Sequence, residues 1–405
     1  MNPLRAISLA CLATAALSAR GEDLLDRADE ALTFAGCNGQ VGAHLSGLLD
    51  LEFYQFNGDP PGLLFADGHE LWNSRLTLLF DAQIGSHVYL FAQARLDRGF
   101  DPSAGPLQAR LEEYALRWTP GDDGRFNLQA GRFATIVGNY IERHQSWENP
   151  FINAPLIYEH MTELSDAGPA QNRSGVGAVA EESKYEYLPV IWGPSYATGL
   201  AVSGRLGKFD YAAELKNSAL SSRPETWDAG DHGFAYPTLS ARLGYRPDMA
   251  WALGMSAGEG AYLTDQARAG LPSGTGLGDF KQYLLGQDLG FASGHWQLWA
   301  EVYEARFDVP HVGNADTLGY YLETKYKFTP NLFGALRWNQ QFFDSVPNGN
   351  GGMDPSGNAI WRIDTAVTYR FTPRSQLKLQ YSLQHEDQAE AALSHLVAAQ
   401  FTLRF

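Results

Sequence analysis

Residues 45–56, LSGLLDLEFYQF, alternate in character. Leu45, Leu49, Leu51 and Phe53 fall on one face of an extended chain, and Ser46, Asp50, Glu52 and Tyr54 on the other, with Leu48 as the exception. Successive side chains of a strand point to opposite faces, so a two-residue period predicts a strand with unlike surroundings on its two sides. The pattern returns in NSRLTLLFDAQIG (73–85), HVYLFAQARLD (87–97), HWQLWAEVYEARF (295–307) and RIDTAVTYRF (362–371). In all, it predicts about sixteen strands: 43–56, 71–84, 87–97, 109–119, 125–136, 196–206, 209–220, 238–246, 250–262, 279–291, 295–306, 317–328, 331–343, 359–371, 375–385 and 394–405.

The connections alternate as well. Short ones (85–86, 120–124, 207–208, 247–249, 292–294, 329–330, 372–374) carry the Gly, Pro, Asp, Asn or Ser of tight turns. Long ones fall between them at 57–70, 98–108, 137–195, 221–237, 263–278, 307–316, 344–358 and 386–393. Short turns on one rim, long loops on the other and an even strand number predict an all-β fold: a transmembrane, antiparallel up-and-down barrel with short periplasmic turns and long extracellular loops. A soluble β-sandwich would also alternate. It accounts neither for so many strands nor for the alternation of loop length. Aromatic residues at strand ends (Trp118, Tyr245, Trp251, Phe291, Trp296, Phe328, Phe333, Tyr369, Phe371) flank short turns, where a membrane-interface belt belongs.

The first 21 residues, MNPLRAISLACLATAALSARG, have an early Arg5, an apolar run from Ala6 to Leu17 and small residues after it. This is the pattern of a secretory signal peptide, with cleavage expected between Ser18 and Gly21. Residues 22–40 place Leu24, Leu25, Ala28, Leu32 and Phe34 at helical spacing, which predicts a short periplasmic segment, helical in part, before a barrel over 41–405. Elsewhere no run reaches the roughly 18 apolar residues of a helical span. A strand barrel needs none.

The chain has a net charge of −16 and two cysteines, of which only Cys37 lies beyond the leader. Nucleic acid, which calls for basic patches, is not an expected partner. An internal disulfide is not expected either. The ten histidines are scattered, and the nearest approach to a site, His385 beside Glu386 and Asp387, puts neighbouring side chains on different faces. The reading is therefore not of an enzyme, and neither cofactor nor metal is expected.

The last residues, SHLVAAQFTLRF, set Val397, Ala399, Phe401, Leu403 and Phe405 on one face and end in Phe. This resembles the C-terminal strand of Gram-negative outer-membrane proteins, in which Phe401, Leu403 and Phe405 would be the signal read by the barrel-assembly machinery. With LQAGRF (128–133), WQLWAEVYEARF (296–307) and GYYLETKYKFTPN (319–331), the chain resembles the sixteen-stranded porins, most nearly the phosphate-selective type. The selectivity does not carry over, because an arginine ladder and lysine-rich loops are not evident. The resemblance implies a cell outer-membrane location, contact with outer-membrane lipid and lipopolysaccharide, and a homotrimer.

On the inward faces the alternation places Arg75, Arg95, Arg117, Arg242, Lys325, Arg337 and Arg362 among the basic groups, with Glu113, Glu214, Glu301, Glu323 and Asp364 among the acidic ones. In lipid these charges would be strongly unfavourable, so they point to a wet lumen. Arg75 and Arg95 lie where the porins line the wall with arginine, and Arg337 and Arg362 form a second pair. Residues 137–195 are too long for an ordinary connection. The apolar content of the stretch (Trp147, Phe151, Ile152, Leu156, Ile157, Tyr158) does not suit a solvated tail. By the resemblance, this loop after the fifth strand folds into the pore over 139–166; the alternative is an outer lid or a trimer-contact latch. Glu142, Trp147, Glu148, Phe151, Tyr158, Glu159, Glu163 and Asp166 would form the constriction, with carboxylates facing arginines.

The expected function is a water-filled channel for passive diffusion of small hydrophilic solutes and ions. The net acidity predicts a slight cation preference. The alternatives are a solute-specific sugar or anion channel, with inward Tyr89, Phe91, Trp299, Tyr303 and Tyr321 available to stack on sugar rings, and a non-channel barrel acting as adhesin or anchor.

Overall fold

The computed structural model describes residues 25–27, 29–58, 60–64, 66, 68–98, 107–121, 123–168, 187–347, 350–387 and 393–405. The leader expected at 1–21 lies outside them. Sixteen antiparallel strands follow in chain order: β1 (Val41–Phe56), β2 (Glu70–Ile84), β3 (Val88–Asp97), β4 (Gln108–Trp118), β5 (Asn127–Arg132), β6 (Thr198–Leu206), β7 (Phe209–Lys216), β8 (Thr238–Tyr245), β9 (Trp251–Ala261), β10 (Lys281–Ser293), β11 (Trp296–Val309), β12 (Gly313–Lys327), β13 (Leu332–Phe343), β14 (Ile360–Thr372), β15 (Ser375–Glu386) and β16 (Ser394–Arg404). Each pairs with the next, and β16 pairs with β1 from Leu48↔Arg404 to Phe56↔Leu396, which closes the cylinder and leaves no free sheet edge.

The seam ends on the last residue. The Gly47 N–H donates to the Phe405 carbonyl at 2.9 Å, and the Phe405 N–H donates back at 3.1 Å. Leu403 and Phe401 stand opposite Leu49 and Leu51. A Cβ on Gly47 would sit 2.5 Å from the Phe405 ring and 2.8 Å from the Thr77 carbonyl, so only glycine fits this seam.

Leu51, Trp72, Leu200, Leu243, Leu285, Leu322 and Val367 point outward and are exposed, while Glu52, Glu301, Glu323, Arg337 and Asp364 point inward. At the periplasmic rim the aromatics pair across strands: Phe209–Tyr245 at 4.9 Å, Trp251–Phe291 at 4.6 Å and Trp296–Tyr326 at 4.6 Å. Gly85, Gly207 and Gly294 take left-handed φ of 58–63° in the tight turns there. Among the described residues no helix is long and apolar enough to cross a membrane.

Several boundaries differ from the sequence expectation, among them the seventh strand, expected to reach 220 and ending at Lys216. The loop expected over 307–316 is only the connection 310–312, because β11 and β12 run on beyond the apolar band. Their outward residues there are charged, with Arg306 paired to Asp316 at 2.7 Å, so the hydrophobic alternation ends before the strands do. The fifth strand, expected to reach 136, stops at Arg132. Beyond it, backbone N–H groups find wall carboxylates instead of a neighbouring strand. Ala134 donates to Glu113 at 2.8 Å and Ile136 to Glu214 at 3.3 Å.

The chain thereby leaves the wall and enters the lumen. Val137, Tyr158, Leu188, Ile191 and Trp192 of the 133–197 connection pack with Trp227, Tyr262 and Phe307 into a hydrophobic core inside the barrel. The wet lumen expected from the inward charges is thus filled in part by a packed apolar cluster. Near the periplasmic mouth, Thr33–Gly36 pairs with Val41–His44, and Arg374 in the β14–β15 turn holds Asp26 at 2.9 Å and Asp29 at 3.3 Å.

Candidate functional site

The inner wall and the infolded segment are built from each other. The segment crosses the lumen. The N–H groups of Asn139 and Tyr140 and the Tyr158 hydroxyl all donate to Glu301 on β11, at 2.5, 3.0 and 2.7 Å. On the far side the Gln145 amide donates to Gln93 on β3 at 2.7 Å, and His144 Nε2 meets the Tyr196 hydroxyl at 2.8 Å. Farther along, Lys378 on β15 donates to the Ser146 and Phe151 carbonyls, both at 3.0 Å. Lys216 on β7 donates to the Phe133 carbonyl at 2.7 Å and the Ser195 carbonyl at 3.2 Å. Wall acids take loop N–H groups and wall cations take loop carbonyls. These wall groups satisfy part of the loop backbone inside the barrel, and a short two-stranded sheet, Met161–Ser165 with Tyr187–Pro189, pairs another part of it.

One chain of alternating charges ties both ends of the crossing to the wall. Arg143 of the loop contacts Glu323 on β12 at 2.5 Å, and Glu323 faces Arg337 on β13 at 3.5 Å, a Coulombic contact without a hydrogen bond. Arg337 reaches Asp364 on β14 at 2.8 Å, Asp364 meets Arg362 at 3.1 Å, and Arg362 closes on Glu159 of the loop at 2.5 Å. All six side chains are at most 9% exposed. Arg337 and Arg362 also donate to the Ala154 carbonyl. Burial pushes the Glu159 carboxyl upward, against the pull of Arg362. Three cations and three anions alternate, so the group is neutral and each charge has an opposite neighbour, the condition for keeping ions out of water.

Arg337 and Arg362 were expected to line the pore. They are 0% exposed and carry the loop instead. Arg75 and Arg95 do face the lumen, at 16% and 12% side-chain exposure, but among the described residues no loop carboxylate pairs with them. They share the wall acids Glu52, Asp97 and Glu112 with Arg110, at 2.7–3.8 Å. Arg110 and Glu112 escaped the sequence reading. The β3–β4 register slips between Gln93 and Ala94, and the bulge turns both Glu112 and Glu113 inward, which strict alternation cannot show.

Arg242 pairs with Asp288 at 2.7 Å and Asp210 at 3.1 Å. Arg117 donates to Gln129 at 3.0 Å and lies 5.8 Å over the Tyr89 ring. Lys325 stands 4.8 Å over Phe333.

Among the loop residues, Glu142 and Glu148 are exposed and Phe151 is buried under Arg337 at 4.3 Å. Trp147 lies against Arg370 at 4.9 Å and Arg404 at 4.5 Å. Glu163 accepts from Asn358 at 3.0 Å, and Asp166 pairs with Arg223 at 2.8 Å. The aromatic wall expected for sugars is largely covered. Tyr303 and Tyr321 are 1% exposed and bonded to Tyr158 and Arg143, and Trp299 lies 4.4 Å beneath the Arg143 guanidinium. Among the described residues no three His, Cys, Asp or Glu side chains are grouped to hold a metal.

A family model described as "Putative MetA-pathway of phenol degradation" matches residues 165–405. The chain belongs to that family. No curated protein matches the sequence. Among solved structures, it is similar to an anion-selective porin from Comamonas acidovorans (TM-score 0.57, 11% identity, 90% of this chain and 100% of that chain). It is likewise similar to the outer membrane channel DcaP of Acinetobacter baumannii (0.57, 13%, 92% and 100%) and to the trimer form of OmpT from Vibrio cholerae (0.56, 10%, 90% and 99%). At these identities the likeness establishes the fold: this member of the phenol-degradation family has the sixteen-stranded barrel of outer-membrane porins.

Proposed function

We propose that the protein is an outer-membrane channel through which small hydrophilic solutes diffuse passively, with residues 133–168 setting the width of the path. The carrying observation is the closed barrel whose outer face is apolar and whose inner face is charged, since such a wall requires water or protein on its inside. Residues 1–21 act as the export leader. The C-terminal Phe401, Leu403 and Phe405 serve barrel assembly, and three copies associate, in line with the trimer form of the OmpT neighbour. The reading includes no reaction.

The test is conductance of the purified, folded chain in planar bilayers, paired with liposome swelling in small sugars and, because of the family description, in phenol. A small, steady conductance with size-limited permeation is expected. A folded barrel that conducts nothing would overturn the channel and favour the anchor.

A further inference from the structure

The loop and the N-terminal segment enclose a cavity of about 550 Å³ at the periplasmic mouth, lined by Asp29, His44, Trp147, Glu148, Arg374 and Arg404 among others. This lies in the size range of small-molecule sites. Trp147 and Glu148 also line a separate narrow gap whose other walls include Lys325, Phe333, Arg370 and Lys378. Cations thus line both sides of Trp147, and one of them, Lys378, is spent on the Ser146 and Phe151 carbonyls. Arg374 is taken up by Asp26 and Asp29. Lys325, Arg370 and Arg404 make no ion pair with any described carboxylate. Arg370 donates only weakly to Gln376 at 3.4 Å, and Arg404 donates to the Pro373 carbonyl at 2.9 Å. All three keep access to water; the acids near them are the exposed Glu148 and, on the Lys325 side, Glu323, which is already paired with Arg143 and Arg337. In a chain with net charge −16 this is a local excess of positive charge.

The cations are also held against rings. Arg370 lies 4.9 Å from both Trp147 and Phe333, Arg404 lies 4.5 Å from Trp147, and Lys325 lies 4.8 Å from Phe333. A guanidinium stacked on one ring offers its other face to a second ring and keeps its edge N–H groups for a carboxylate. We infer that this vestibule is a binding site for a small aromatic carboxylate, its ring stacked beside Trp147 and its oxygens taken by Arg370, Arg404 and Lys325. The solute enters from the cavity, whose apolar lining includes Leu48 and Phe405. The inference rests on the channel reading, for which it names a solute class.

Titration calorimetry on the folded full chain in detergent, with benzoate as the probe, tests it separately from conductance. Benzoate is expected to bind, with affinity falling as salt rises. Arg370→Gln and Arg404→Gln are each expected to weaken it by roughly tenfold. Lys325→Gln, which leaves both guanidiniums on Trp147, is expected to weaken it less. Cyclohexanecarboxylate, with the same charge and no π face, is expected to bind more weakly. A conducting barrel that takes up no benzoate, equal binding of the two acids, or unchanged affinity in the arginine variants would each overturn the site. Benzoate binding to a barrel that does not conduct would uphold the site and overturn the channel.

Discussion

Arg362→Met separates the loop from the wall with little change of volume. The guanidinium holds Glu159 at 2.5 Å, the Ala154 carbonyl at 2.5 Å and Asp364 at 3.1 Å, and is 1% exposed. Its removal leaves Glu159 buried with Asn153 and the Ala154 N–H as hydrogen-bond donors but without its cation, while Asp364 keeps Arg337. Breaking a buried pair from one side costs about 3–5 kcal/mol. The barrel ladder is untouched, so this cost falls on docking of 153–159 and raises the undocked population by roughly 10²-fold to several 10³-fold. Single-channel recording is expected to show larger and noisier openings than in the wild type. Adding Glu159→Gln in the same chain removes the orphaned charge and is expected to restore part of the quiet, narrow state, a coupling that a double-mutant cycle measures. If Arg362→Met conducts like the wild type while its barrel melts normally, the alternating charge chain does not hold the loop, and the reasoning fails.

Two further outcomes follow from the geometry. Burial holds His144 down at about 4, so the neutral ring is the docked form, and its contribution is present above the ordinary pKa near 6.5 and lost as pH falls from there through 4. The loss is up to about 3 kcal/mol, less where the half-buried ring meets water. Glu159 and Asp166, raised by burial, work in the opposite sense, so acid-induced loosening of the loop is read as the difference between wild type and His144→Gln in conductance noise from pH 7 to 4. Identical pH profiles would dismiss the histidine. Gly47→Ala places a methyl group 2.5 Å from the Phe405 ring at the β16–β1 seam and is expected to slow barrel closure and lower the heat resistance of the folded band in gel-shift assays. Unchanged mobility and melting would show that the seam can relax.

The strand count, order and faces were legible along the chain because a barrel wall separates two solvents. Each strand must alternate to satisfy both, as Trp296, Leu298, Ala300 and Val302 do against Gln297, Glu301 and Tyr303. The long connection after β5 was legible from its length and its Trp and Tyr residues. The pattern failed where the outer environment ceases to be lipid, at Arg306 and Asp316, and where a bulge breaks the two-residue period, at Glu112.

What the inward charges do was decided only by the tertiary structure. Alternation marks Arg75 and Arg337 alike as lumen-facing, yet one is partly wet and the other is fully covered. The difference lies in where a loop from the other side of the barrel comes to rest. A pairing such as Arg362 with Glu159, 203 residues apart, leaves no periodic trace in the chain, because charge balance depends on distance in space and not on position along the sequence.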